Sequence, residues 1–229
     1  MLPALWLSTG VFTGEAGPAG LSARYPRRLR DDPQAIADVM NGAAGLGWGT
    51  AALATANIMR ATDLLRGAHP DTPLAYICGL NDFVAEVNSA LKRRPDLVAL
   101  HSRIADAAPV DDVRRYFRRI AEEWALPAAA TSDPLDAAAR LEGTGCRALL
   151  VQSGLRGAAL EYAVETAHKC NMAYMAEVLP APTARETAEA VRSAAGAEVD
   201  ALVIGVGERG ELDVYMRALE RMGFLEERP

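Results

Sequence analysis

Lysine is nearly absent from this sequence. Of 24 basic residues only Lys92 and Lys169 are lysines and the other 22 are arginines, so chemistry that needs a lysine nucleophile or a Schiff base has two candidates at most. Cysteine is scarce too. Cys78, Cys146 and Cys170 are odd in number, far apart and without a CxxC pair. That pattern excludes a disulfide framework and a thiolate zinc site, and it points to reduced thiols in the cytoplasm. With three histidines there is little material for a histidine-rich metal centre. No apolar run is long enough to span a membrane, and the N-terminal MLPALWLSTGVF has no basic n-region, so it reads as a first strand rather than a leader. The net charge of -6 gives no reason to expect a nucleic-acid partner.

What the sequence does have is a repeated strand-then-helix unit. Half of its 229 residues are hydrophobic and 24% are charged, a balance that buries one core and argues against disorder. Leu5 to Phe12 is an apolar run, followed by a Gly/Pro-rich and then arginine-rich stretch, 13–30, that is long for a loop and so suggests a functional or mobile segment. Asp32-Pro33, Asp82 and Asp133-Pro134 are helix starts, because a carboxylate accepts from the first free N–H groups and proline suits the first helical position. Thr183-Ala184-Arg185-Glu186 has capping-box spacing. Between these starts lie short apolar runs, Pro73–Gly79, Leu97–His101, Leu126–Thr131, Arg147–Gln152, Ala173–Val178 and Ala201–Gly205. The stretch Thr50–Arg66 reads either as a strand turning into a helix or as one helix, which leaves seven or eight strands.

Parallel neighbours need a crossover, and alternating helices provide it. The expected fold is therefore a (β/α)8 TIM-type barrel in one domain spanning 1–229, with an open doubly wound parallel sheet as the alternative. A barrel of this size is expected to form a homo-oligomer.

In such a barrel the site lies at the C-terminal ends of the strands. His101 ends an apolar strand, where an imidazole can serve as general acid or base, as a metal ligand, or simply as a backbone hydrogen-bond partner. Glu177 interrupts AYMAEV, where a carboxylate is costly to bury unless it works or is paired with an arginine such as Arg103. These two are the candidate catalytic residues. Asn81, Arg103 and Ser153 at strand ends, with Gly205, Gly207 and Arg209 of the last loop, are the candidate substrate-binding residues. Gly205 to Gly210 has GxGxxG spacing, but a dinucleotide fingerprint needs a further strand and an acidic residue about 20 positions on. The sequence after Gly210 does not supply them, so no nicotinamide cofactor is expected. The loop is read instead as a phosphate or carboxylate site at the mouth of a barrel. A divalent metal on His101 with Glu177 or Asp133 stays open.

Two runs, CGLNDFVAEVNSALKRRPDLVALHS from Cys78 and PVDDVRRYFRRIAEEWALPAAATSDP up to Pro134, resemble the dihydrodipicolinate synthase and N-acetylneuraminate lyase family. The shared order is a strand with a G-x-N turn, a helix, a strand, a YFRRIAE-type helix, then LP and another strand. The resemblance implies a barrel. That family's tyrosine is missing from the strand after LP, where Ala128 to Thr131 stand, and its Schiff-base lysine is missing from RALLVQSG. The expectation is a cytoplasmic lyase- or isomerase-type enzyme using acid/base chemistry on a small carboxylated or phosphorylated, hence anionic, metabolite. The alternative is a non-catalytic barrel, derived from an aldolase-like ancestor, that binds a ligand or a partner.

Overall fold

Eight short strands carry the architecture in the computed structural model, which describes residues 3–13, 31–152, 155–181 and 183–221. They are β1 (Leu5–Ser8), β2 (Gly49–Leu53), β3 (Leu74–Cys78), β4 (Leu97–Leu100), β5 (Leu126–Thr131), β6 (Ala148–Val151), β7 (Ala173–Val178) and β8 (Ala201–Gly205). Each pairs in parallel with the next, and β8 pairs back onto β1, closing a (β/α)8 barrel in sequence order. Around it lie α1 (Pro33–Ala44), α2 (Ala56–Ala68), α3 (Phe83–Leu91), the single-turn α4 (Ser102–Ala105), α5 (Val110–Glu122), α6 (Pro134–Leu141), α7 (Ala158–Lys169), α8 (Ala184–Ala195) and α9 (Arg209–Glu220).

Local chemistry fixes the hand-over from strand to helix. Asp32 accepts from the N–H groups of Gln34 and Ala35, Asp82 from Ala85 and Asp133 from Asp136. Thr183 and Glu186 close the expected capping box. The opposite hand-over uses left-handed backbone: Arg94, Trp124, Asn171 and Glu198 have positive φ just before β4, β5, β7 and β8. Strand β2 exists, which decides the ambiguous stretch in favour of strand then helix. The first run ends earlier than its hydropathy suggests, because Gly10–Phe12 coils into a 3-10 turn. In α7 the buried face is Leu160, Ala163, Val164 and Ala167, while Tyr162 is exposed.

Register tells which side chains face the lumen. Ser8 Oγ donates to Glu177 Oε1 at 2.7 Å, yet β1 and β7 are separated by β8. The two side chains therefore meet inside the barrel. Side chains alternate along a strand and paired residues share a face, so the lumen set follows round the barrel from those two. It includes Trp6, Gly49, Ala51, Ala75, Ala99, Ala128, Ala148 and Val203. Trp6 is fully buried and fills the lower lumen. Gly49 makes room for it, since a Cβ there would lie 2.6 Å from the indole. Above Trp6 the lumen positions Ala51, Ala99 and Ala128 are small, and Ser8, Leu53, Ile77, Leu150 and Glu177 line a cavity at the strand ends.

The outward strand faces bind the helices. Tyr76 Oη lies 2.5 Å from Thr62 Oγ1 of α2. His168 of α7 lies with Nε2 2.7 Å from Asp200 Oδ2, which also accepts from the Tyr174 N–H.

Candidate active site

The cavity at the C-terminal ends of the strands has a volume of about 370 Å³. Ser8, His101, Arg103, Thr131, Gln152 and Glu177 supply polar groups to its wall, and Leu53, Ile77 and Leu150 supply apolar ones. Three of the candidate residues, His101, Arg103 and Glu177, are thus brought to one space by β4 and β7.

Glu177 sits one residue before the end of β7. Its Oε1 accepts from Ser8 and its Oε2 from Gln152 Nε2, at the longer distance of 3.4 Å. Burial in the lumen pushes its carboxyl above the ordinary glutamate value, and the Ser8 hydroxyl opposes this only in part. Surface area and surroundings describe two ends of this residue: part of it is exposed to the cavity, while the apolar wall desolvates the charge. For the charge the desolvation decides, because burial of the carboxyl between the strands penalises its ionised form.

His101 is the N-cap of α4, and its Nδ1 accepts from the Arg103 N–H at 3.3 Å. An accepting Nδ1 puts the ring proton of the neutral imidazole on Nε2. The turn packs closely under β3: a Cβ on Gly79, whose φ is +118°, would lie 2.8 Å from Ile104 and 3.3 Å from the His101 Cβ. Only glycine fits there.

The remaining candidates lie elsewhere. Asn81 is tied to Glu86 of α3, whose Oε1 accepts from the Asn81 N–H at 2.8 Å and its Nδ2 at 3.3 Å, while Oε2 accepts from the N–H groups of Gly79 and Leu80 at 2.5 and 3.1 Å. The Gly205–Gly210 loop is organised in the same way. Glu211 Oε2 accepts from the N–H groups of Gly207 and Glu208 at 2.9 and 3.4 Å, so a phosphate at this loop would compete with a tethered, buried carboxylate. Gly205 is required by packing, since a Cβ would lie 2.6 Å from Pro180. Arg209 is exposed and lies against Gly42 of α1. Ser153 lies outside the described residues, as does 14–30 of the long N-terminal loop. Among the described residues no three His, Cys, Asp or Glu side chains gather as a metal site.

Glu86 and Glu211 were the loop-holding partners that sequence reasoning missed, and Ser8, a strand-end position, was not read as the partner of Glu177. Glu86 and Glu211 had a signal: each is an acidic residue on the buried stripe of an amphipathic helix that follows a glycine turn.

No family model matches the chain, and no curated protein matches it. Solved structures do match. An archaeal fructose 1,6-bisphosphate aldolase superposes with a TM-score of 0.67 at 15% identity, covering 95% of this chain and 92% of that one. An aldo-keto reductase from Bacillus halodurans in its holo form gives 0.61 at 15% identity, covering 85% and 87%. The carboxyl transferase domain of Rhizobium etli pyruvate carboxylase gives 0.63 at 19% identity, covering 88% of this chain and 39% of that one. The likeness is one of fold. It agrees with the barrel that the lyase resemblance implied, and no family model supports membership of that family. Among the described residues no helix is long and apolar enough to cross a membrane.

Proposed function

We propose that this barrel is an enzyme of lyase or isomerase type that moves a proton on a small carboxylated metabolite. The observation that carries the reading is Glu177, a carboxyl set in an otherwise apolar strand at the floor of a polar-rimmed cavity, held by Ser8 at 2.7 Å. Burial favours its neutral form, and the Ser8 and Gln152 donors favour its charged form. A carboxyl under these opposing influences can both take and return a proton.

In this reading the Glu177 carboxylate removes the proton from the carbon beside the substrate's carbonyl. The Nε2–H of His101 faces the oxygen that gathers charge, and Arg103 at the rim holds the substrate's carboxylate. The cell compartment proposed is the cytoplasm, in keeping with three cysteines that are all unpaired.

The test is hydrogen–deuterium exchange, followed by proton NMR in heavy water over a panel of small 2-oxo and 2-hydroxy acids and sugar phosphates. At least one member is expected to exchange, and Glu177→Gln to slow it at least 100-fold, within the usual range for a lost acid or base. Exchange that survives Glu177→Gln and His101→Ala together overturns the reading. No exchange across the panel favours the non-catalytic binding barrel.

Carbonyl reduction is a second reading, favoured by the structural likeness to an aldo-keto reductase. A nicotinamide dinucleotide does not fit the glycine loop after β8, because Glu211 already takes the N–H groups that would meet its diphosphate. Quenching or enhancement of reduced-dinucleotide fluorescence on adding the protein would support that second reading.

A further inference from the structure

The Ser8 hydroxyl is held from two sides at the end of β1. It donates to Glu177 Oε1 at 2.7 Å and accepts from the Gly10 N–H at 3.3 Å. The second bond follows from the local backbone, because the chain coils into the 3-10 turn Gly10–Phe12 just past the strand and brings that N–H back to Oγ. The first depends on closure of the barrel, and its length is that of a charge-assisted O–H···O bond. With its proton on Glu177 and one lone pair on Gly10, Oγ keeps a second lone pair, and Ser8 lines the polar cavity.

A nucleophilic centre has three parts: the nucleophile, a base within hydrogen-bond reach of it, and a third group that orients the base. Ser8, Glu177 and Gln152 stand in that relation. Gln152 Nε2 donates to Glu177 Oε2 at 3.4 Å and leaves Oε1 to the serine. All three line one cavity at or just past the ends of β1, β7 and β6, the edge from which barrel enzymes draw their catalytic side chains. Burial makes the Glu177 carboxylate a stronger base than an ordinary glutamate. The Gly10 N–H favours the alkoxide form of Ser8, since a hydrogen bond to a charged form stabilises it. His101 and Arg103 bring N–H donors to the same space.

We propose that Ser8 is a nucleophile and that this cavity hydrolyses small carboxylic esters through an acyl-serine intermediate. The activity goes beyond the carbon-acid reading above and uses the same carboxylate on a different proton. In the first half, Ser8 Oγ bonds to the ester's carbonyl carbon, its proton passes to Glu177 Oε1, and the carbonyl electron pair moves onto oxygen. That pair then returns, the bond to the alcohol oxygen breaks, and the alcohol leaves with the proton from Glu177. In the second half water takes the part of Ser8. Its proton goes to Glu177, its oxygen bonds to the acyl carbon, and Ser8 leaves and takes the proton back. Ester and water become acid and alcohol, and both side chains are restored. Arg103 is the single guanidinium among the described lining residues, which suits a neutral or singly charged ester better than a phosphoryl group, whose transfer needs several cations.

The experiment mixes the full-length protein with p-nitrophenyl acetate, follows nitrophenolate release by stopped flow and maps the acetyl group by peptide mass spectrometry. The wild type is expected to give a burst of about one equivalent, with the acetyl group on Ser8. Glu177→Gln should slow the burst at least 100-fold, within the usual range for a lost base, and Ser8→Ala should abolish it. Ser8→Cys should carry the acetyl group at position 8 as a thioester, a gain that a damaged fold would not give. Acetyl found on His101 or on a distant lysine or cysteine, no acetyl on the wild type, or a Glu177→Gln variant that acylates at the wild-type rate overturns the proposal. Hydrogen exchange in the earlier assay without acylation of Ser8 overturns it too and leaves Ser8 as the residue that holds Glu177. Acylation without exchange supports it and removes the carbon-acid reading instead.

Discussion

Replacing Glu86 by alanine removes the anchor of the loop after β3. Glu86 is buried, with 7% of its surface exposed, and its carboxylate accepts four hydrogen bonds from Gly79, Leu80 and Asn81. Only the Gly79 bond is fully buried. An orphaned buried donor costs about 1–3 kcal/mol, and hydrogen bonds to a charged group contribute about 1.5–3 kcal/mol each when they are not shared with water. Water recovers part of the three outer bonds, so the expected loss is about 3–5 kcal/mol. At about 2.1 cal/mol/K per residue, the 229 residues unfold with an entropy of about 0.48 kcal/mol/K, and the melting temperature should fall by about 6–10 °C. Glu86→Gln should recover less than half of this. Oε1 and Oε2 both accept from N–H groups, and an amide has one accepting oxygen, so its NH₂ is turned toward donors. Thermal unfolding followed by circular dichroism, with urea titration as a second measure, checks both variants. A loss below about 1 kcal/mol for the alanine variant, or a glutamine variant equal to wild type, would refute the idea that an internal carboxylate organises this loop.

Glu177→Gln should make the protein more stable at neutral pH than the wild type, the reverse of Glu86. The folded-state pKa of Glu177 is raised by burial, so the folded chain holds a proton that the unfolded chain has released, and wild-type stability falls as pH rises from the unfolded value through the folded one. The advantage of the variant should shrink below the ordinary glutamate range, near pH 4; melting curves from pH 4 to 8 check this, and a pH-independent difference would contradict it. Gly49→Ala should cost on the order of 2 kcal/mol or more, because its Cβ would meet the Trp6 ring at 2.6 Å inside a packed barrel; a variant that melts with the wild type would show that the indole can shift.

Most of the fold was legible because strand and helix signals alternate cleanly from Pro73 onward. The stretch that was not legible, β2, is GTAAL, a strand with one β-branched residue whose alanines suit a helix equally well. Its small side chains follow from position: Gly49 and Ala51 face the lumen beside Trp6 and Ser8, where bulk is excluded. His101, Arg103 and Glu177 were legible as a group because strand ends in a parallel barrel converge. The Ser8 partner was not, since contact between β1 and β7 depends on a closure that no local pattern encodes. The glycine loop after β8 shows the limit of motif reading: its free N–H groups were anticipated, and an acidic residue four positions past Gly207 meets one of them from within the chain.

The alanines that wall the lumen bear on how such a site changes by descent. Each alanine codon lies a single nucleotide substitution from serine, threonine, valine and one of the two acidic residues, so drift can deliver a hydroxyl, a branched hydrocarbon or a second carboxylate to the lumen in one step. Trp6, buried below them on Gly49, keeps the base of the barrel filled whichever of those steps is taken. A lineage built on this chain can therefore vary its chemistry above the indole without first having to reinvent its core.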